Sequence, residues 1–201
     1  MTDGAPSLED TVAAARACTL CAAHLPMGPR PVLRAQATAR LLIVGQAPGT
    51  KVHATGVPWN DPSGDRLRDW MGVDRATFYD ETRIAIVPMG LCYPGRLPRG
   101  GDAPPRPECA PLWHPPLRSG LPQVALTLLV GQYAQAYYLG AARAATMTET
   151  VRGFAGFLER AGHLPLPHPS WRNTAWLRRN PWFESTLLPV LRARVAALLD
   201  R

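Results

Sequence analysis

The sequence predicts an α/β protein: one domain over residues 1–201, a three-layer α/β/α sandwich around a central, mostly parallel four-stranded sheet. Three observations carry this. Four short apolar runs recur at residues 41–44, 83–89, 124–130 and 164–167, of strand length and without a polar face, as strands covered on both sides must be. Stretches with helical spacing of apolar residues lie between them, and strands alternating with helices build parallel sheets. Hydrophobic residues make up 46% of 201, which is enough for a sizeable core.

The elements follow in order. Ser7 is a suitable N-cap for a short helix whose Leu8, Val12 and Ala15 share one face. That helix runs into Cys18-Thr19-Leu20-Cys21, and residues 24–40, with their Pro, Gly and Arg, read as an irregular arm with a short strand near Val32-Leu33. Leu41-Leu42-Ile43-Val44 is a buried strand that breaks into Gly45-Gln46-Ala47-Pro48-Gly49, where glycines permit a tight turn and close approach to a ligand. Ser63 or Asp65 caps a helix through residues 66–71, which Gly72 ends; residues 77–81 form a further helical turn. The second strand leads into residues 92–107, a loop with three glycines and five prolines. Loops of that length in a compact domain are usually functional or anchored. From Glu108 the pattern is helical, interrupted by Pro115-Pro116. The third strand hands over at Gly131-Gln132-Tyr133 to a helix reaching Leu139, and residues 148–160 form another. The fourth strand enters His168-Pro169-Ser170-Trp171-Arg172-Asn173, and Pro181 at the first helical position opens a last helix over residues 182–199.

Composition narrows the function. No apolar run approaches the roughly 20 residues that span a bilayer, so no membrane role is expected. The first residues carry acids and lack a basic segment followed by an apolar one, so a secretion signal is not expected and a cytoplasmic location is. Lys+Arg 22 against Asp+Glu 15 gives +7, a balance that favours a polyanionic partner such as nucleic acid. The same arginine excess, with 22 prolines, also fits a GC-rich coding bias.

The four cysteines are Cys18, Cys21, Cys92 and Cys109. A C-x-x-C pair puts two thiolates on one turn, and the other two bracket the long loop, so a shared site would fasten arm (residues 18–40) and loop (92–109) to the body. Disulfides are not expected without secretion; zinc and a 4Fe–4S cluster both suit four thiolates. His24 has ligand spacing from Cys21, but four cysteines already make a full set.

Together these residues resemble the uracil–DNA glycosylase superfamily, and best its bacterial iron–sulfur branches, called families four and five. The resemblance runs from Cys18 to the last helix and implies that the four cysteines hold a 4Fe–4S cluster. Gly45-Gln46-Ala47-Pro48-Gly49 is similar to the first motif, which surrounds the flipped base. Gly56-Val57-Pro58-Trp59 resembles a segment whose aromatic stacks on uracil, and His168–Asn173 resembles the second motif. Three positions depart. Gln46 and Ala47 stand where related branches have acids, so the first motif supplies no carboxylate, and Asp61 occupies the place of the aspartate that family five uses. Pro88, four residues before Cys92, stands where a uracil-reading asparagine is expected, which leaves a broader substrate range open.

The resemblance implies a monofunctional, monomeric DNA-repair glycosylase that flips uracil, or another deaminated base, out of single- or double-stranded DNA and hydrolyses its N-glycosidic bond. Asp61 would orient or deprotonate water or balance the sugar cation, and it equally suits an N-cap ahead of Pro62-Ser63-Gly64. His168 would donate to the leaving base. Gly45, Gln46, Ala47, Trp59, Ser170 and Asn173 would hold substrate, with Trp171 and Arg172 as wedge and charge in the groove. Arg96, Arg99, Arg178 and Arg179 are candidates for backbone contacts. Two other functions stand beside this one: a uracil- or abasic-site-binding protein with little turnover, and a cluster-bearing nucleic-acid factor that has lost the base pocket.

Overall fold

The computed structural model describes residues 6–98 and 100–199; Arg99 lies outside them. In chain order the elements are α1 (Leu8–Arg16), β1 (Leu41–Val44), α2 (Thr50–Thr55), α3 (Pro62–Met71), α4 (Arg75–Phe78), β2 (Ile84–Ile86), α5 (Cys109–Ser119), β3 (Leu126–Val130), α6 (Gln132–Leu139), α7 (Met147–Arg152), α8 (Phe154–Ala161), β4 (His163–Leu166), α9 (Thr174–Arg179) and α10 (Leu188–Leu199). The sheet has the order β2-β1-β3-β4, and every pairing is parallel.

Side chains alternate across a strand, and that alternation builds the layers. Leu41 and Ile43 of β1, with Ile84, Ile86, Leu126 and Leu128, face Leu67 and Trp70 of α3, Phe78 of α4 and Leu191 and Val195 of α10. Leu42 and Val44, with Ala85 and Leu129, face Val12 and Ala15 of α1, Leu117 of α5 and Ala134 of α6. The expected three-layer α/β sandwich is therefore present, with Phe78 and Phe183 among its fully buried side chains, each worth roughly 1.5–3 kcal/mol of apolar burial.

Several details differ from the sequence reading. The arm adds an antiparallel bridge, Arg34 to Ile86, at the β2 edge rather than a strand. The helix at Glu108 is not interrupted: α5 continues through Pro115 and Pro116. The carbonyls that lose partners belong to Pro111 and Leu112, which are exposed and open to water. Residues 148–160 divide at Gly153, whose φ of −78° and ψ of 14° leave the helical ladder. The last helix opens with a π-helical turn over Phe183–Leu187. Pro189 just beyond it would press its ring on a carbonyl four residues back, and the wider turn relieves that crowding. The helices α2 and α9 were not anticipated, because six residues each are too few to show a period.

Candidate active site

Parallel strands put all four C-terminal ends on one edge, and the strand order reverses direction at β1, where open α/β sheets place their ligand crevice. A cleft of about 510 Å³ opens there. The Gly45–Gly49 turn after β1, Trp59 and Asp61 before α3, Pro88 after β2, and residues 168 and 170–173 after β4 all line it. Asp61, His168, the six expected substrate-holding residues, and Trp171 and Arg172 thus border one space.

Trp59 is held in an unusual conformation. With φ at 55° it is the one non-glycine residue at positive φ among the described residues, a strained state that persists only when its surroundings impose it. The Tyr79 hydroxyl donates to the Pro58 carbonyl at 2.8 Å, and the buried Arg68 guanidinium donates to the Trp59 carbonyl at 3.4 Å while pairing with Asp65. Gly45 takes the indole directly: a β-carbon there would stand 2.7 Å from the ring. The indole also faces the His168 imidazole, with centroids 5.5 Å apart at 31°.

Asp61 is the N-cap of α3; its Oδ1 accepts from the Gly64 N–H at 2.8 Å, and Pro62 follows at the first helical position. This cap is Asp61, not Ser63 or Asp65. Capping uses one carboxylate oxygen, and the residue still borders the cleft.

His168 sits half-buried in the opposite wall. Burial lowers its imidazole pKa, and the nearby Asp61 charge partly offsets this, so the ring is neutral at pH 7. Asn173 Nδ2 donates to the His168 carbonyl at 2.7 Å, and Arg66 Nη1 of α3 donates to the Ser170 carbonyl at 3.2 Å. Asn173 thereby shapes the loop. Trp171 is 75% exposed at the mouth, and the Arg172 guanidinium lies 5.6 Å from its ring centroid. Arg96 lines the cleft, whereas Arg178 and Arg179 lie on α9, outside it.

The structure adds Asp102, which sequence reasoning passed over. It lines the cleft from the long loop, where Arg96 and Asp102 form an antiparallel bridge. Burial raises its pKa, Arg96 and Arg172 lower it, and Asp61 adds to the rise. Nothing local marks this acid; only the folding of its loop over the first motif brings it in.

All four cysteines are free and line a second pocket with Leu25, Leu91 and Trp113. Burial pushes the Cys109 thiol up to about 11 and raises Cys92 as well, and the neighbouring cysteines add to both. The Leu91 N–H donates to Cys109 Sγ at 3.3 Å. Arg106 Nε and Trp113 Nε1 are buried donors without a partner, and both residues line this pocket. Four thiols, an N–H···S bond and two unengaged donors form a set suited to a sulfur-ligated centre. Among the described residues no three His, Cys, Asp or Glu side chains are placed to hold a single metal ion.

The family model described as the Uracil DNA glycosylase superfamily matches residues 34–192. That span contains all four strands and every cleft-lining residue except Val32, so this chain belongs to the uracil DNA glycosylase superfamily.

Proposed function

We propose that this protein is a DNA-repair glycosylase that removes uracil, and by its departures other deaminated bases, from DNA. Superfamily membership implies a glycosylase acting on bases in DNA. The observation that carries the finer reading is that Trp59 and Asp61, on the loop before α3, and His168, after β4, border one cleft.

Flipping the base costs a few kcal/mol, which stacking and edge hydrogen bonds offset. Trp59 supplies the stacking surface; its strained backbone and Gly45 set the ring's place before substrate arrives. As the C1′–N bond breaks, its electron pair goes to the base, and neutral His168 donates a hydrogen bond to the base oxygen that gathers the charge. Asp61 balances the cation left on the sugar and orients the attacking water. Ser170 and neighbouring amides hold phosphate, with Trp171 and Arg172 entering the groove. Residue 88 is a proline, so it offers no amide side chain to separate uracil from related bases, and its backbone carbonyl is engaged by His114 Nε2 at 3.1 Å.

We assign a 4Fe–4S cluster to the four cysteines, within the family's iron–sulfur branch. Zinc suits four thiolates as well, and the metal content of the purified protein separates the two. When bound, the cluster supplies structural fastening of arm and loop. Cys18 and Cys21 hold the arm, and Cys92 and Cys109 hold the loop.

The test is single-turnover incubation with oligonucleotides carrying one uracil, hypoxanthine or xanthine, followed by alkali. Strand scission at uracil is the expected result. Intact strands for every base, with abasic-site binding retained, would replace this with the binding-protein reading, which the acid-free first motif and Pro88 permit. Binding should weaken linearly in log K against log salt, as the +7 balance implies.

A further inference from the structure

We propose that Asp102 is the base that accepts the proton of the attacking water, leaving Asp61 as helix cap and partner of the sugar cation. This rests on the glycosylase reading above.

The geometry begins with what the first motif lacks. Gln46 and Ala47 carry no acid, and the Gln46 side chain is committed elsewhere: its Nε2 donates to the Ala103 carbonyl at 3.2 Å. That bond holds the loop segment containing Asp102 down on the first motif. A β-carbon on Gly49 would stand 3.5 Å from Asp102 Oδ2, and one on Gly90 would meet both Pro105, at 2.9 Å, and Ala47, at 3.5 Å. Loop and motif are therefore in direct contact. Within the loop, the Leu97 N–H donates to the Gly101 carbonyl and the Ala103 N–H to the Gly95 carbonyl, each at 2.9 Å, so backbone hydrogen bonds flank Asp102 on both sides.

Among the described residues the Asp102 carboxylate has no hydrogen bond or ion pair, unlike Asp61, which spends an oxygen on its cap. Arg96 across the hairpin, Arg172 on the loop after β4, and Asp61 at the start of α3 are the charged groups that bear on it. The helix it rests near, α2, carries the exposed Lys51 and the buried His53. Burial and the Asp61 charge lift its pKa above the ordinary carboxylate value. Two carboxylates in one cleft, one structurally engaged and one free with a raised pKa, is how a site divides roles between like groups.

The step balances. The water oxygen bonds to C1′, the C1′–N pair leaves with the base, and the water proton passes to Asp102, which returns it to solvent after product release.

The test is Asp102→Asn. Single-turnover excision should fall by roughly 10²-fold or more, and the acidic limb of the rate–pH profile, set by Asp102 in the wild type, should disappear. Asp61→Asn should move that limb to lower pH, since it removes a negative charge; a merely structural Asp102 gives no such movement. Binding offers a second readout independent of turnover. Wild type should prefer an oligonucleotide with a cationic pyrrolidine abasic analogue over a neutral tetrahydrofuran one, and Asp102→Asn should reduce that preference. Excision by Asp102→Asn near the wild-type rate, or an unchanged acidic limb, overturns the proposal while leaving the glycosylase reading intact. If wild type excises no base, the reading above fails; an analogue preference unchanged by Asp102→Asn then overturns this proposal too, and a preference that it abolishes upholds the carboxylate's place at the sugar.

Discussion

Gly64 lies directly beneath Trp59: a β-carbon on Gly64 would stand 1.8 Å from the Trp59 carbonyl oxygen. The two residues lock together because Asp61 caps α3 through the Gly64 N–H, which draws the first turn of the helix under the strained tryptophan.

Gly64→Ala tests this lock. Helix propensity alone favours alanine by roughly 0.5–1 kcal/mol, but here the clash is with backbone and cannot relax cheaply. The expected outcome is a net loss of about 1–3 kcal/mol, as for overpacking, or roughly 2–4 °C per kcal/mol in the melting temperature at this chain length. Gly153→Ala is the contrast. Its φ is −78° and its nearest neighbour would be 3.5 Å away, so calorimetry should show no loss or a gain of about 0.4–1 kcal/mol.

Asp61 joins a cap and a candidate catalytic role, and substitution separates them. Asn caps as well as Asp does, while Ala forfeits roughly 1 kcal/mol. Asp61→Asn should therefore melt near wild type yet excise uracil about 10²-fold more slowly. Full excision by this variant would leave Asp61 as a helix cap alone.

His168→Ala should lower single-turnover excision by about 10²–10³-fold, the cost of losing a donor aimed at developing charge. Because burial holds the imidazole neutral, the wild-type rate should not need a protonated histidine, so no basic limb near pH 6.5 should be seen. Such a limb, lost in His168→Ala, would mean an imidazolium acts instead.

His114 couples stability to pH. Its Nε2 donates to the Pro88 carbonyl at 3.1 Å and its Nδ1 accepts from the Tyr138 hydroxyl at 2.8 Å, which assigns the neutral tautomer. Burial lowers its pKa from 6.5. The unfolded chain thus takes up a proton below about 6.5 that the folded chain refuses, so this contribution is present above that pH and is lost as pH falls, at up to about 1.4 kcal/mol per unit. His163 and His168 act in the same direction. The urea midpoint should drop from pH 8 to pH 5, and the penalty of His114→Gln should shrink over the same range. A penalty constant with pH would exclude the linkage.

The cysteine centre predicts straw-brown protein on anaerobic purification, with about four irons per chain. Colourless protein with one bound zinc would replace the cluster with zinc. Cys18→Ala should lower the melting temperature through the arm and loop, with base chemistry affected only as far as the loop is displaced.

Much of this was legible in the amino-acid sequence. The apolar runs at Leu41–Val44 and Leu126–Val130 specify buried strands through local composition, and the Gly45–Gly49 turn announces itself by its glycines. The spacing of Cys18 and Cys21 is what suggests a thiolate site there. Other features have no local cause. The helices α2 and α9 are too short to hold themselves and exist because the body packs them; Trp59 adopts positive φ because Tyr79 and Arg68 grip its backbone; Asp102 enters the cleft because Gln46 hooks its loop. Backbone propensity and hydrophobic period act within a few residues and so can be read along the chain. The convergence of Asp61, Asp102 and His168 is set by contacts between distant segments, and only the packed tertiary structure decides it.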